Sequence, residues 1–341
     1  MSIVEIARTA NVSISTVSRF FNKPESLSPQ IAAKIEKVVA QTNYRPRIVR
    51  PGPKAATRVG IRTGVIALVS LCDFSLEQMW RLPVLPILIG SVQSTLLRRQ
   101  LSLFLGNLDR DGRLPECVSS RRCDGVIFFS KPPTPEAAAG FRKSLPDLPT
   151  VWCFRDHADE EHRFDHIFYD NSAVGPIAAE YLASHGHRKV AFFNTDPTHS
   201  AFGAREIGFC ERARSLGLEP VVFKLEHPER EVQKNYRTLA ADFLQNSTGI
   251  TGAFFCVDHD MLGIHIELLA AGYPARNLDM IGCNADEVAL QYLSPRPATI
   301  DIKISQIGQM AVDQLLRRIN GESCGAVNEI FVKPELIKGE R

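Results

Sequence analysis

The sequence predicts an α/β protein in which an N-terminal three-helix helix-turn-helix domain precedes a larger, two-lobed domain of two parallel sheets flanked by helices. Three short helical patterns follow one another in the first 44 residues, and basic charge is concentrated in the same part. From residue 65 onward, short apolar runs alternate with amphipathic stretches, as in parallel sheets covered by helices. With 341 residues, of which 44% are hydrophobic, the chain is long enough for two or three cores.

The first two predicted helices form a helix-turn-helix pattern over residues 3–22. Ser13 fits the N-cap of the second helix, and Val17 and Phe20 fit its buried face. Hydroxyl, aliphatic and guanidinium groups on the outer face suit the base edges of a DNA major groove. The alternative is a plain helical hairpin with a solvated face. The outward residues of the second helix are Ile14, Ser15, Ser18 and Arg19.

The charge distribution favours contact with DNA. Residues 1–64 contain eleven Lys or Arg and three Glu, a net charge of +8, whereas the whole chain carries +2. A cationic end beside a mildly acidic remainder fits phosphate contact by the first module and solubility of the rest.

A third helix is predicted to begin after Ser28, with Pro29 in its first turn, and to end before Pro46. With this helix in place, the pattern resembles the LacI/GalR family of bacterial repressors. The resemblance implies that Ile14, Ser15 and Arg19 read bases. The residues that match are Val12-Ser13, Thr16-Val17-Ser18-Arg19, Asn22, Asn43-Tyr44 and Pro46.

The next stretch departs from the family pattern, in which a hinge helix of the form Ala-Arg-x-Leu places its Leu in the minor groove. Here Pro51 and Pro53 flank Gly52, and proline lacks the backbone donor that a helix needs. One interpretation is an extended basic arm in a narrow, A·T-rich minor groove. The other is a flexible linker whose charges contact only phosphates. The basic residues expected to contact DNA are Arg47, Arg50 and Lys54.

The rest of the chain predicts two sheets, because its apolar runs fall into two successive sets. The predicted strands are 65–71, 101–105, 125–129, 150–154, 189–193, 252–257 and 279–282, and the predicted helices lie near 173–185, 203–215, 233–245 and 260–271.

The resemblance to the LacI/GalR family continues through this part and implies a periplasmic-binding-protein-like domain. Such a domain has two lobes around a ligand cleft at the carboxyl ends of the strands. The expected domains are 1–46, a basic Pro/Gly hinge or arm at 47–63, and 64–341, with the chain crossing between lobes near 165–172, 295–303 and 321–329. The matching residues are Asp124-Gly125-Val126-Ile127, Asp170-Asn171, Gly186-His187-Arg188-Lys189-Val190-Ala191, Arg205, Gly208-Phe209, Asp258, Gly263, Gly272 and Gly282.

The family's cleft carries over to this sequence with changes. Arg205 stands at the ligand-anchoring arginine, where a guanidinium binds hydroxyls or a carboxylate, and Asn284 stands where an Asp is common. Phe154 and Val257 replace an expected Asp and Asn, so the cleft should contact fewer hydroxyls and prefer an anionic or partly apolar ligand. Asp258 fits either a ligand contact or a helix cap. Besides Arg205 and Asn284, the expected effector-binding residues include Phe154 and Asp258.

Two aromatic residues, Phe74 and Trp80, follow the first strand at the expected rim of the cleft. They stack on a ligand in one interpretation and cover the lobe in the other.

The competing hypothesis is a small-molecule-binding protein or a metal-dependent enzyme with an incidental helical start. Its best support is the acidic, histidine-rich stretch 156–163 together with His166, but this stretch lacks metal-ligand spacing and fits a solvated loop. The sequence also lacks a nucleophile elbow and a phosphate-binding glycine loop, and its eight cysteines form no CxxC pair. We therefore expect no catalytic site, metal site or cofactor.

No apolar run approaches the length of a membrane span and no signal-peptide pattern opens the chain, which predicts a cytoplasmic protein. As a whole, the sequence predicts a DNA-binding transcriptional regulator of the repressor type. It should act as a homodimer on a roughly palindromic operator, under the control of a small-molecule effector.

Overall fold

The chain forms two units, Met1–Thr57 and Arg58–Arg341, which are described separately. The structure is a computed structural model. It describes residues 3–22, 27–42, 60–72, 84–130, 134–145, 147–154, 164–229, 231–274, 277–322 and 325–340.

The first unit contains the three predicted helices, α1 (Ile3–Thr9), α2 (Ile14–Asn22) and α3 (Pro29–Thr42). Ser13 caps α2 as predicted, because its Oγ accepts a hydrogen bond from the N–H of Thr16 at 3.1 Å. The helix-turn-helix prediction is confirmed. The core of this unit is made of Ile6, Ala7, Ala10, Val17, Ile35 and Val38.

The second unit contains two six-stranded sheets, and this confirms the predicted fold class. The first sheet has the order β11-β5-β4-β3-β1-β2 and is parallel throughout. Its strands are β1 (Val65–Ser70), β2 (Ser102–Asn107), β3 (Gly125–Phe129), β4 (Thr150–Cys153), β5 (Asp165–Tyr169) and β11 (Glu329–Val332).

The second sheet has the order β12-β10-β9-β8-β6-β7, in which only β12 runs antiparallel to its neighbour. Its strands are β6 (Lys189–Asn194), β7 (Glu219–Lys224), β8 (Ile250–Phe255), β9 (Asp279–Cys283), β10 (Ala298–Asp301) and β12 (Glu335–Ile337).

Successive residues of a strand point to opposite faces of the sheet, and here both faces are apolar. Helices therefore pack on both faces of each sheet. In β6, for example, Phe192 packs in one apolar cluster and Phe193 in another. None of the described helices is long and apolar enough to cross a membrane. The helices of this unit are α4 (Val84–Arg98), α5 (Glu116–Ser119), α6 (Pro135–Ser144), α7 (Val174–Ser184), α8 (Ser200–Ser215), α9 (Val232–Asn246), α10 (Asp258–Ala270), α11 (Glu287–Leu290) and α12 (Ile304–Ile319).

Each sheet with its helices forms one lobe, the first sheet the first lobe and the second sheet the second lobe. The chain passes between the two lobes three times. It leaves the first sheet after β5, returns after β10 to form α12 on the first lobe, and leaves again between β11 and β12. The third crossing therefore lies at residues 333–334, and the expectation of 321–329 was wrong. The strand β11, which ends at Val332, still belongs to the first sheet, and its pairing with β5 is a long-range contact that no local pattern reveals.

The sequence patterns located the long buried strands but missed several elements. β5, β7, β10, β11 and β12 were not predicted, and neither were the helices α4, α5, α6, α11 and α12. β10, β11 and β12 have three or four residues each, too few for a periodic pattern. The sequence of α4 is apolar on most sides, so it lacks the amphipathic stripe of a surface helix.

A buried carboxylate holds three segments of the first lobe together. Asp165, at the start of β5, is fully buried and accepts hydrogen bonds from Arg318 and Gln314 of α12 and from the N–H of Asn328. Burial raises the pKa of Asp165, but these hydrogen bonds outweigh it and hold the pKa below its ordinary value. Asp165 therefore stabilises the fold while ionised.

We predict that Arg318→Met lowers the free energy of unfolding by about 3 kcal/mol at neutral pH, because Asp165 then remains buried without its cation. The stabilisation is present above the pKa of an unfolded Asp and is lost as the pH falls through the lowered folded value, so the two proteins should converge in acid. Urea unfolding followed by circular dichroism measures both effects. The control is Arg99→Met, which breaks the half-exposed pair with Asp313 and should cost less than about 1 kcal/mol. Equal losses in the two variants would contradict the prediction.

Candidate functional site

The second helix of the first unit presents its predicted outer face. Ile14 is 49% exposed, Ser15 and Arg19 are exposed and Ser18 is half-buried, whereas Val17 is fully buried. An exposed isoleucine beside hydroxyls and a guanidinium matches the groups that read base edges in a major groove. The orientation of this face is as predicted, and base contact by these residues stays a prediction.

Several candidate residues lie outside the described part of the chain. They are Arg47, Arg50 and Lys54 of the arm and Phe74 and Trp80 of the expected cleft rim.

The carboxyl ends of the strands carry unusual backbone geometry. Three non-glycine residues that directly follow strands have left-handed φ angles, Ser130 (66°), Phe154 (56°) and Asn284 (101°), and so does the next residue, Ala285 (53°). Such conformations cost about 1–3 kcal/mol each and cluster at functional sites. The edge where the family resemblance places the cleft is therefore also the edge where backbone strain accumulates.

Arg205 lies in α8 and is 1% exposed. Its Nε donates to Asn171 Oδ1 at 3.0 Å and its Nη2 donates to the hydroxyl of Tyr169 at 3.1 Å. Its Nη1 donates to the carbonyl oxygen of Cys256. Tyr169 ends β5 of the first lobe and Cys256 follows β8 of the second, so one guanidinium joins the two lobes.

Arg205 forms no ion pair with a described residue, since its hydrogen-bond partners are all neutral. Its charge lowers the pKa of the buried carboxyl of Asp258, but burial still holds that pKa at about 8, so this carboxyl is mostly uncharged at neutral pH. The rings of Tyr169 and Phe202 lie 5.7 and 5.9 Å from its central carbon and add only a weak cation–π attraction. A buried and uncompensated cation is costly. An anion that entered this site would remove that cost.

Asn284 is 5% exposed, and its backbone N–H donates to the carbonyl of Ile300 at 2.9 Å. Its side-chain Oδ1 is buried and accepts no hydrogen bond from any described residue. A buried acceptor without a donor costs about 1–3 kcal/mol. The site is therefore suited to a ligand that carries a hydrogen-bond donor.

Asp258 begins α10 and has both carboxylate oxygens occupied by protein donors. The hydroxyl of Thr299 donates to them at 2.8 and 2.9 Å, and the N–H of Asp286 donates at 2.8 Å. Burial raises the pKa of Asp258 from 3.8 to about 8, against the lowering effect of these hydrogen bonds. These contacts support a structural role for Asp258 more than the expected effector contact, because a ligand would have to displace them.

The two apolar replacements lie close to this region. The ring of Phe154 lies 6.2 Å from that of Tyr169, and Val257 is the half-buried N-cap residue of α10. Phe154 thus adds apolar surface next to the partner of Arg205.

Sequence analysis missed the partners that hold Arg205. Tyr169 and Cys256 stand at strand ends, and Asn171 belongs to the Asp170-Asn171 pair that the family pattern contains. The Asp170-Asn171 pair could have pointed to Asn171 as a site residue. The roles of Tyr169 and Cys256 could not be predicted, because they depend on how the two lobes are placed.

The proposed metal ligands do not form a site within the described residues. Residues 156–163 lie outside that part, and His166 is buried in β5, where its ring stacks on Trp152 at 6.0 Å. No group of three His, Cys, Asp or Glu side chains in the described ranges is arranged to hold a metal ion.

Comparisons with known proteins match both units. Residues 2–47 match the model of bacterial regulatory proteins of the lacI family, and residues 179–340 match that of a periplasmic binding protein-like domain. The chain is 27% identical over 333 residues to catabolite control protein A of Streptococcus mutans, covering 94% of this chain and 92% of that protein. It is 26% identical over 325 residues to the ribose operon repressor of Escherichia coli, covering 92% of each.

The fold is also that of solved regulators. The Lac repressor dimer bound to operator and the anti-inducer ONPF aligns with a TM-score of 0.65 at 17% identity, over 100% of this chain and 98% of that one.

The raised pKa of Asp258 gives a pH prediction. A carboxyl whose folded pKa lies above its unfolded value stabilises the fold fully at low pH and loses that contribution as the pH rises toward about 8. The Asn side chain of the Asp258→Asn variant does not ionise, so the variant should not show this loss. Between pH 5 and pH 8 the free energy of unfolding of wild type should fall relative to that of the variant, by up to about 1.4 kcal/mol per pH unit. Urea unfolding across this range measures the difference. Asp147→Asn, at a side chain 93% exposed, serves as control and should show a constant offset; the same constant offset for Asp258→Asn would rule the assignment out.

Proposed function

We propose that this chain, a DNA-binding transcriptional regulator of the LacI family with an effector-binding, periplasmic-binding-protein-like domain, represses transcription as a homodimer on a roughly palindromic operator. The observation that carries this proposal is the exposed outer face of α2, with Ile14, Ser15 and Arg19 standing where a major groove would be read. A two-fold dimer would present two such faces to two half-sites.

An exposed apolar surface supports self-association. Val288 is 71% exposed and Tyr292 is 70% exposed, and both lie at or just after α11. A contiguous apolar patch on the surface of a folded protein often marks an association site. We place the dimer contact of the second lobe here.

We propose that this function is exercised in the cytoplasm, where operator DNA is found, and that it consists of binding without catalysis. The support is that the relatives of this chain are regulators by name.

We propose that the effector is anionic or partly apolar and binds beside Arg205 and Asn284. Arg205 forms no ion pair with a described residue, and Asn284 Oδ1 lacks a donor among them. Phe154 and Val257 supply apolar surface where the family pattern has polar groups. A ligand changes DNA affinity only through its different affinity for two lobe arrangements, and Arg205 contacts both lobes.

The arm at 47–63 is proposed to lie as an extended basic strand in an A·T-rich minor groove. The support is chemical: Pro51 and Pro53 lack helix donors, and Arg50 and Lys54 are attracted to the strong negative potential of a narrow groove.

We predict that Arg19→Ala weakens binding to a specific operator by about 1–3 kcal/mol and relaxes selectivity at one base position, because a bidentate base contact is lost. Binding to random DNA should change little. Fluorescence anisotropy with an operator selected from genomic fragments measures both affinities. Arg8→Ala removes another charge from the same module and should weaken specific and random binding alike.

Equal weakening of both DNAs by Arg19→Ala would show that Arg19 contacts only phosphate. Failure of the wild-type protein to select any fragment would instead contradict the proposed function.

The effector proposal predicts that carboxylates stabilise the protein more than matched neutral compounds. The screen pairs each acid with its alcohol or amide, such as gluconate with sorbitol and hydroxybenzoate with hydroxybenzamide. A ligand at a hundred times its Kd adds about 2.7 kcal/mol, which is readily seen in a thermal-shift assay. Arg205→Lys keeps the charge but removes the planar fork, and should weaken binding of an acid that stabilises wild type.

The control for this variant is Arg212→Gln, which removes an arginine of the same helix whose partner is the surface residue Glu180, and it should leave acid binding intact. The effector proposal would be contradicted if a neutral sugar bound at micromolar affinity and its affinity were the same for wild type and Arg205→Lys.

A further inference from the structure

The described part of the second unit begins with a short segment, residues 60–64, and one carboxylate accepts hydrogen bonds from three of its backbone N–H groups. Asp124, just before β3, is 7% exposed and accepts the backbone N–H of Arg62 at 2.9 Å, of Thr63 at 2.8 and 3.1 Å, and of Gly64 at 2.7 Å. Three successive N–H groups around one anion form the kind of concave backbone site that binds negative groups strongly. All of these contacts lie within the second unit.

The opposite side of the segment rests on the end of α12. Gly60 has a φ of 84°, and a Cβ built on it would lie 2.1 Å from the carbonyl oxygen of Ile319. A side chain at position 60 is therefore excluded both by backbone conformation and by space. The segment therefore contacts both Asp124 and the last turn of α12.

The neighbouring strands close the segment from above. The carbonyl of Gly64 accepts the N–H of Ser102 at 2.8 Å, and the carbonyl of Val65 accepts the N–H of Asp124 at 2.8 Å. The conformation of residues 62–64 is therefore fixed by hydrogen bonds to the first lobe.

We propose that Asp124 is a positioning residue for operator binding: by holding residues 62–64, it fixes the direction in which the arm leaves the effector-binding unit. The distance between the two DNA-binding modules of a dimer then depends on this anchor. The inference rests on the proposed function, because it needs a dimer on two half-sites.

The physical argument is one of effective concentration. Once one module is bound, the second finds its half-site at a local concentration that depends on how its tether is oriented. If residues 62–64 are fixed, one distance between half-sites is favoured over others. If they are released, the protein binds operators over a wider range of half-site distances. Loss of the anchor should therefore cost selectivity for spacing more than contact with a half-site.

The experiment compares operator duplexes whose centre is unchanged or lengthened by one or two base pairs. Each added pair moves one half-site by about 3.4 Å and rotates it by about 35°. Fluorescence anisotropy gives the Kd for each duplex and for a single half-site. The variants are Asp124→Ala and, from the other side of the segment, Gly60→Ala. Asp124→Asn keeps one acceptor oxygen and should behave between Asp124→Ala and wild type.

The matched control is Gly321→Ala. Gly321 has a φ of 71° and lies two residues beyond α12, but nothing stands within 4 Å of a Cβ built on it. It carries the same backbone strain as Gly60→Ala without the collision.

We expect wild type and Gly321→Ala to lose about tenfold or more in affinity when two base pairs are added, and both anchor variants to lose less than about threefold. Half-site affinity should stay equal among all proteins that fold, as checked by circular dichroism. A merely destabilised variant would bind every duplex more weakly by the same factor, and that result would overturn the proposal. So would unchanged spacing selectivity in both anchor variants, or a wild type indifferent to spacing. Absence of specific binding by wild type would instead overturn the proposed function.

Discussion

The guanidinium of Arg205 is buried where the two lobes meet, and the arrangement around it depends on how the parallel sheets are connected. Each crossing of the chain leaves a strand at its carboxyl end, so the ends of β5 and β8 come within reach of one side chain from α8. Tyr169 and Cys256 then supply neutral acceptors for a charge that forms no ion pair with a described residue. The arrangement that brings the two lobes together thus leaves the charge of Arg205 buried without an ion-pair partner, which is energetically costly.

The buried polar groups of this unit divide into two kinds. Asp165, Asp258 and Asp260 are buried carboxyls, and each is held by two or more protein donors. Asn284 is equally buried, but its side-chain oxygen has no donor among the described residues. Since a folded protein normally satisfies its buried polar groups, a group left unsatisfied at a strained strand end is a better candidate for ligand contact than a satisfied one.

Helix α12 of the first lobe contacts groups at both of its ends. It begins after the second crossing, where Lys303 pairs with Asp301 and Glu335 next to two of the crossings. The other end of α12 supports Gly60, beside the segment held by Asp124. The proposed effector site and the proposed anchor at Asp124 therefore both involve the first lobe.

The sequence by itself determined the helix-turn-helix, the outward face of α2, the two-sheet class and most long strands, because helical periodicity, caps and buried apolar runs are local properties. It also marked Arg205 and Asn284, through the resemblance to a family. Only the tertiary structure decided which protein groups each of the marked residues contacts. Asp258 had the right chemistry, yet Thr299 and Asp286 occupy it from elements far along the chain. The partners of Arg205, the third crossing and the grip of Asp124 on residues 62–64 likewise join residues distant in sequence, and no local pattern records which strands will become neighbours.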